Sequence, residues 1–245
     1  MSGHSKWNNI KRKKEKSDGQ KAKIFTKMGR EIAVAVREGG GDPASNGKLR
    51  EVIAKAKANN VPNDNIDRAI KKALADGDKN DFYAITYEGY GVGGIAVMVE
   101  ALTDNRNRTA ADVRHYFDKF GSGLGQTGCV SFLFEQKGVL ILEDEDGALD
   151  EEQLMEDCME AGAEDFAVEN GAAQIFTAPE ELMAVSEVLG QKGYRFDSAE
   201  VEFVPATTVT LTDPEQITKM QKLLDQLEDN DDVQNVWHNW EMPED

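Results

Sequence analysis

Over residues 20–38 the apolar side chains Phe25, Met28, Ile32, Ala35 and Val36 return every three or four positions, the spacing of one face of an amphipathic helix. The run Gly39-Gly40-Gly41-Asp42-Pro43 ends it, because glycine disfavours the helix and proline lacks the N–H that would continue its ladder. Leu49, Val52, Ile53 and Ala56 repeat the pattern, as do Ile66, Ala69, Ile70, Ala73 and Leu74. Between them lies Asn59-Asn60-Val61-Pro62-Asn63-Asp64, whose Asn and Asp side chains suit helix caps. The pattern predicts a three-helix domain over residues 1–80.

At about Asp81 the helical period gives way to alternation. Strands are predicted over 82–88 and 95–102, a helix over 106–120 with Val113, Tyr116, Phe117 and Phe120 on one face, and a strand over 129–134. Strand 139–142, helix 151–161, strands 165–169 and 173–176, helix 179–189 and strand 199–203 then follow in the order βαββαβ, a ferredoxin-like unit. Segment 207–211, helix 214–227 and strand 233–237 are left over and need residues 81–135 to bury against. The predicted fold class is α+β: an amino-terminal three-helix domain plus two α/β domains. One of these is discontinuous, 81–136 with 206–245, and the ferredoxin-like unit 137–205 is inserted into it.

Charge changes the picture. The chain carries 28 Lys and Arg against 46 Asp and Glu, a net of −18, yet residues 1–80 hold nineteen bases and ten acids, a net of +9. The remaining residues hold −27. A division of this kind gives a polyanion one end to dock on, because affinity for nucleic acid grows with the number of phosphates a basic surface neutralises. Residues 3–16 have six bases and only Trp7 and Ile10 as large apolar side chains, too little to order by themselves. They are read as a basic arm.

Enzymatic signatures are missing. Gly89, Gly91, Gly93 and Gly94 lie between two predicted strands with no Lys-Ser or Lys-Thr after them, so they read as a tight β connection and not as a phosphate loop. Gly121-Ser122-Gly123-Leu124-Gly125 reads as a helix cap leading into a loop. Cys129, Cys158, His4, His115 and His238 show no ligand spacing, so no metal and no cofactor are expected, and the cysteines read as reduced. The acidic runs 143–146 and 228–232 fall at predicted loops and helix ends, where solvated surface is the simplest reading. No apolar run is long enough to span a membrane, and the basic start has no apolar core of a secretory signal. The chain is read as no enzyme, with no membrane partner and no small-molecule substrate.

Two basic clusters are candidates for binding. The arm and first helix supply Lys6, Lys11, Arg12, Lys13, Lys14, Lys16, Lys21, Lys23, Lys27 and Arg30, with Trp7 able to stack on a base or ribose. A solubilising tail is the plain alternative. Arg106, Arg108 and Arg114 gather at and after Thr103-Asp104-Asn105-Arg106-Asn107-Arg108-Thr109, where a helix start adds N–H donors to the two Arg. Internal pairing with Asp104 and Asp112 is the alternative there. Asn65, Arg68, Lys71 and Lys72 on the third helix are a weaker candidate for a duplex groove.

Ser2-Gly3-His4-Ser5-Lys6-Trp7, Lys23-Ile24-Phe25-Thr26-Lys27, Gly39-Gly40-Gly41-Asp42-Pro43, Tyr87-Glu88-Gly89-Tyr90-Gly91 and the Thr103 to Thr109 segment closely resemble the YebC/PmpR family. The resemblance runs the length of the chain, with Val92 where many relatives have Pro and Cys129 where Ser is common. It implies a three-domain fold and a non-enzymatic role in gene expression. For bacterial members that role is DNA binding and transcription regulation. For organellar relatives it is translational activation, so the alternative is a ribosome-associated factor that binds ribosomal RNA and relieves stalling at proline-rich stretches. The signature begins directly after Met1, so a cytoplasmic location is expected, with protein contacts through the acidic domains as a further partner class.

Overall fold

The computed structural model describes residues 18–76, 82–144, 149–169 and 171–243. The three amphipathic patterns form α1 (Asp18–Gly39), α2 (Gly47–Ala58) and α3 (Asn63–Asp76). Their apolar faces meet in one core of Met28, Ile32, Ala35, Val36, Leu49, Val52, Ala56, Val61 and Ile66. Leu74, which the spacing assigns to this seam, is exposed, and a Cβ on Gly41 would meet its Cδ1 at 2.8 Å. Asn46 joins the first two helices. Its carboxamide oxygen accepts the Leu49 N–H at 3.0 Å as the cap of α2, and its Nδ2 donates to the Ala35 and Gly40 carbonyls, each at 2.7 Å.

The chain continues with β1 (Tyr83–Tyr90), β2 (Ala96–Thr103), α4 (Arg106–Phe120) and the short β3 (Gly123–Leu124). Next come β4 (Phe134–Glu143), α5 (Glu151–Ala161), β5 (Asp165–Glu169), β6 (Ala172–Thr177), α6 (Leu182–Gln191) and β7 (Ser198–Pro205). The last elements are β8 (Val209–Thr210), α7 (Pro214–Asp229), β9 (Val233–His238) and β10 (Trp240–Glu241). Residues 134–207 form one compact unit; residues 18–133 with 208–243 belong to another. The fold is α+β.

Residues 134–207 make an antiparallel sheet in the order β5-β6-β4-β7. That order and the two crossover helices are the ferredoxin-like arrangement. Leu140, Leu142 and Ile175 from the sheet pack on Leu154 and Cys158 of α5 and on Leu182, Val185 and Leu189 of α6. In the other unit the sheet order is β3-β1-β2-β9. Val97 and Val99 of β2 share a core with Val113 and Phe117 of α4 and Met220, Leu223, Leu224 and Leu227 of α7. The glycine-rich turn between β1 and β2 permits this packing, since a Cβ at Gly91 would lie 2.5 Å from the Met220 sulfur, and Gly93 has a φ of 66°.

Two local expectations change. Residues 129–134 do not form the expected strand: a single 3-10 turn, Ser131–Leu133, leads into β4, which starts at Phe134. The cause is Glu88, whose buried carboxylate accepts the N–H groups of Gly128, Val130 and Ser131 at 2.8, 2.9 and 2.8 Å, removing donors that a strand would need. Burial pushes the Glu88 carboxyl up, and the three amides, with the Ser131 hydroxyl, bring it below the usual range. The Gly121–Gly125 stretch is not a free loop either: Gly123 and Leu124 pair with Tyr90 and Gly89 at the sheet edge.

Asn46→Ala removes the α2 cap and leaves two carbonyls without their donor. Thermal or urea unfolding should show a loss of about 2 kcal/mol or more; an unchanged midpoint would contradict the role given to this side chain.

Candidate nucleic-acid interface

Seven of the expected binding residues, Lys6, Trp7, Lys11, Arg12, Lys13, Lys14 and Lys16, lie outside the described residues. Lys21 belongs to the first turn of α1. Lys23, Lys27 and Arg30 follow it at helical spacing and turn toward the end of α7. Lys23 Nζ donates to the Asp229 carbonyl at 3.1 Å and sits 3.0 Å from its carboxylate, and Lys27 Nζ donates to the Glu228 carbonyl at 2.7 Å. Arg30 Nη1 donates to the Asp231 carbonyl at 2.7 Å, the Leu102 carbonyl at 3.2 Å and the Asp232 carboxylate. A helix C-terminus exposes unpaired carbonyls and the negative end of its dipole, so a row of cations docks there favourably. The acidic run 228–232 is thus the seat of α1, a correction to its reading as solvated surface.

Asp232 is the centre of this seat. Its carboxylate is 4% exposed and receives Arg108 Nη2 at 2.7 Å and Nε at 3.3 Å, Thr109 Oγ1 at 2.7 Å and Thr103 Oγ1 at 3.2 Å, besides Arg30. Burial acts to raise the Asp232 carboxyl, but the hydrogen bonds from Arg108, Thr109 and Arg30 outweigh it and hold it below the ordinary carboxylate range. Arg108, bonded to Asp232 and to Asp104 at 2.8 Å, is pushed up correspondingly. The segment 103–109 is therefore a lock on Asp232. Thr103 and Thr109 supply hydroxyls, Asn105 caps α4 by accepting the Arg108 N–H at 3.1 Å, and Arg108 supplies the fork. Internal pairing, the alternative weighed for Arg108, is what the geometry gives, with Asp232 and Asp104 as partners and not Asp112.

Other cations face outward. Arg106 is exposed and stacks its guanidinium over the Tyr83 ring at 4.0 Å; Arg114 is exposed on α4. Arg68, Lys71 and Lys72 are exposed on α3, and Arg68 donates to Asn65 at 3.4 Å. Between α1 and α3 runs a groove of about 340 Å³ whose walls include Phe25, Arg30, Arg37, Lys72 and Phe82. Sequence reading missed Arg37 and Phe82. The available signal was Gly29, a glycine in mid-helix with no turn to make. Among the described residues no group of three or more His, Cys, Asp or Glu is placed to hold a metal ion, and no helix is long and apolar enough to cross a membrane.

Asp232→Asn keeps the shape and removes the charge that Arg30 and Arg108 enclose. Breaking such a buried arrangement typically costs about 3–5 kcal/mol, to be read from urea unfolding at neutral pH. The pH dependence has a definite sign. A carboxyl depressed in the folded chain stabilises above its unfolded value, roughly 4, and that contribution is lost as pH falls through the folded value. Wild-type stability should therefore fall in acid, and the drop should be smaller in Asp232→Asn; equal acid sensitivity in both would contradict the assignment. In the same assay Arg108→Ala should unfold earlier than wild type, while Arg106→Ala stays close to it.

Comparison with known proteins places these features in a family. Residues 5–76 match the TACO1/YebC protein N-terminal domain, and residues 82–240 match the TACO1/YebC second and third domain. A protein of Acetivibrio thermocellus named "Probable transcriptional regulatory protein" is 59% identical over 240 residues, covering 98% of this chain and 99% of that one. Another of the same name from Ruminiclostridium cellulolyticum is 58% identical over 244 residues, covering 100% and 98%. The crystal structure of a conserved hypothetical protein from Aquifex aeolicus superposes with a TM-score of 0.84 at 46% identity, covering 94% of each chain. With both family domains in place and identity above half over its whole length, the chain belongs to the TACO1/YebC family.

Proposed function

We propose that this chain is a cytoplasmic, non-catalytic regulator of gene expression that binds nucleic acid, DNA first, through its amino-terminal bases. The observation that carries the reading is the charge division, +9 on residues 1–80 against −27 on the rest. Lys23, Lys27, Arg30 and Arg108 are committed to Asp232 and its neighbours, so the phosphate contacts fall to the arm residues Lys6, Lys11, Arg12, Lys13, Lys14 and Lys16, with Lys21. Arg106 and Arg114 of α4 and Arg68, Lys71 and Lys72 of α3 are further exposed bases. Phosphate contacts fix orientation without reading sequence. The negative remainder is repelled from a polyanion within a Debye length of about 8 Å, which leaves it for protein contacts. The names of the relatives support regulation of transcription.

A second reading, a ribosome-associated translation factor on ribosomal RNA, draws support from the exposed Tyr83 beneath Arg106 and from Phe25 and Phe82 beside Arg37 and Lys72. Aromatic side chains beside cations suit unpaired bases, which RNA offers more than duplex DNA.

With about six phosphates neutralised, log affinity for duplex DNA should fall with log salt at a slope of roughly −5, with little dependence on sequence. Deleting residues 1–17 should flatten that slope while leaving the unfolding midpoint near wild type, since the segment has almost nothing to bury. A shallow slope in the intact chain, or selectivity of several orders of magnitude for one duplex, would overturn the phosphate-gripping account. Crosslinking in cells followed by sequencing of bound DNA and RNA decides between the two targets.

A further inference from the structure

We propose that the groove between α1 and α3 is a seat for one unpaired nucleotide of a single-stranded nucleic acid. The inference rests on the reading of this chain as a nucleic-acid binder and names where a base is received.

The groove, about 340 Å³, falls in the size class of small-ligand clefts. Its floor is α1 at Gly29. Glycine in a helix interior is destabilising relative to alanine and normally has a reason. At other positions the reason is internal: a Cβ at Gly41 would strike Leu74, one at Gly89 would strike Phe117, and one at Gly91 would strike Met220, while Gly190 in α6 has, like Gly29, nothing near its Cβ. At Gly29 a Cβ would meet nothing within 4 Å, so nothing in the described chain requires the glycine. Bare backbone is left facing open space, where a flat group from outside approaches closely.

The walls suit a base. Phe25 and Phe82 are half-buried rings, and Phe82 lies 5.8 Å from the Arg30 guanidinium, which Asp232 holds in place. The platform is therefore fixed before any ligand arrives. Arg37 and Lys72 are exposed at the rim, which suits the flanking phosphates. Charge selects the occupant: the chain's own basic arm and the same groove of a second copy are both positive and repelled, whereas a polyanion is drawn in. Aromatic rings across open backbone favour a π face over an acidic peptide. A duplex keeps its bases stacked and out of reach, so the strand is single.

The test is a fluorescence titration of the full chain with two otherwise identical abasic strands, one carrying a single 2-aminopurine at its centre. Base-on-aromatic stacking predicts that the base-bearing strand binds roughly tenfold tighter. Gly29→Leu, which adds bulk on the open side of Gly29, and Phe82→Ala should each abolish that difference while keeping the salt slope of the plain abasic strand. Their melting curves confirm the fold, and the two variants act by different means. Equal binding of both strands by wild type, or a difference that survives both substitutions, overturns the seat and leaves the phosphate-gripping reading standing. Wild type that binds no strand at any salt overturns both. An oligoglutamate peptide whose binding Gly29→Leu abolishes, with the base preference untouched, makes the groove a peptide site and overturns the inference.

Discussion

A buried carboxylate must find donors, and Asp232 finds them from three directions at once. Arg30 reaches it from α1, Thr103 from the end of β2, and Arg108 with Thr109 from the first turn of α4. Leaving such a charge unpaired is far more costly than the modest value of any one exposed ion pair. Asp232 therefore ties the helical part, the sheet and the connection from α7 to β9 to one another, beside the bonds that Lys23, Lys27 and Arg30 make to backbone carbonyls. The family segment 103–109 makes sense in these terms, as it supplies a helix cap, two hydroxyls and a guanidinium to one acid.

The same device recurs on a smaller scale. Glu88 folds residues 128–131 around itself by accepting three backbone N–H groups. In the ferredoxin-like unit, Asp157 on α5 accepts Lys192 Nζ at 2.6 Å and the Tyr194 hydroxyl at 2.8 Å, tying the segment after α6 back to α5. Lys192 is pushed up by that pairing and by Glu160, while burial first and then the bond to Asp157 push the Tyr194 phenol up to about 12. Such internal use leaves the net of −18 unchanged, because each ion pair takes a base with its acid. It sorts the bases into those that hold the fold and those left for a partner.

Periodicity made the elements legible. Helix 106–120, helix 151–161 and strand 165–169 stand where the pattern puts them, the two helices because each has an apolar face and a capping side chain, Asn105 or Asp150, at its start. The ferredoxin-like order was legible for the same reason. What the pattern hid was long-range pairing. Arg30 and Asp232 are 202 positions apart and Arg108 and Asp232 are 124 apart, so an acidic run at a helix end looks solvated until its partners are in view. The strand expected at 129–134 failed because its apolar alternation says nothing of the distant Glu88 that takes its amides. Of the candidate site, the charge division was legible, but which bases point outward was not.

The central claim is that Asp232 joins segments which are remote in sequence, and hydrogen–deuterium exchange on Asp232→Asn measures it directly. The account predicts faster exchange together in three places: α1 around Arg30, the first turn of α4, and residues 228–233. Faster exchange confined to residues 230–233, with α1 and α4 as protected as in wild type, would contradict it.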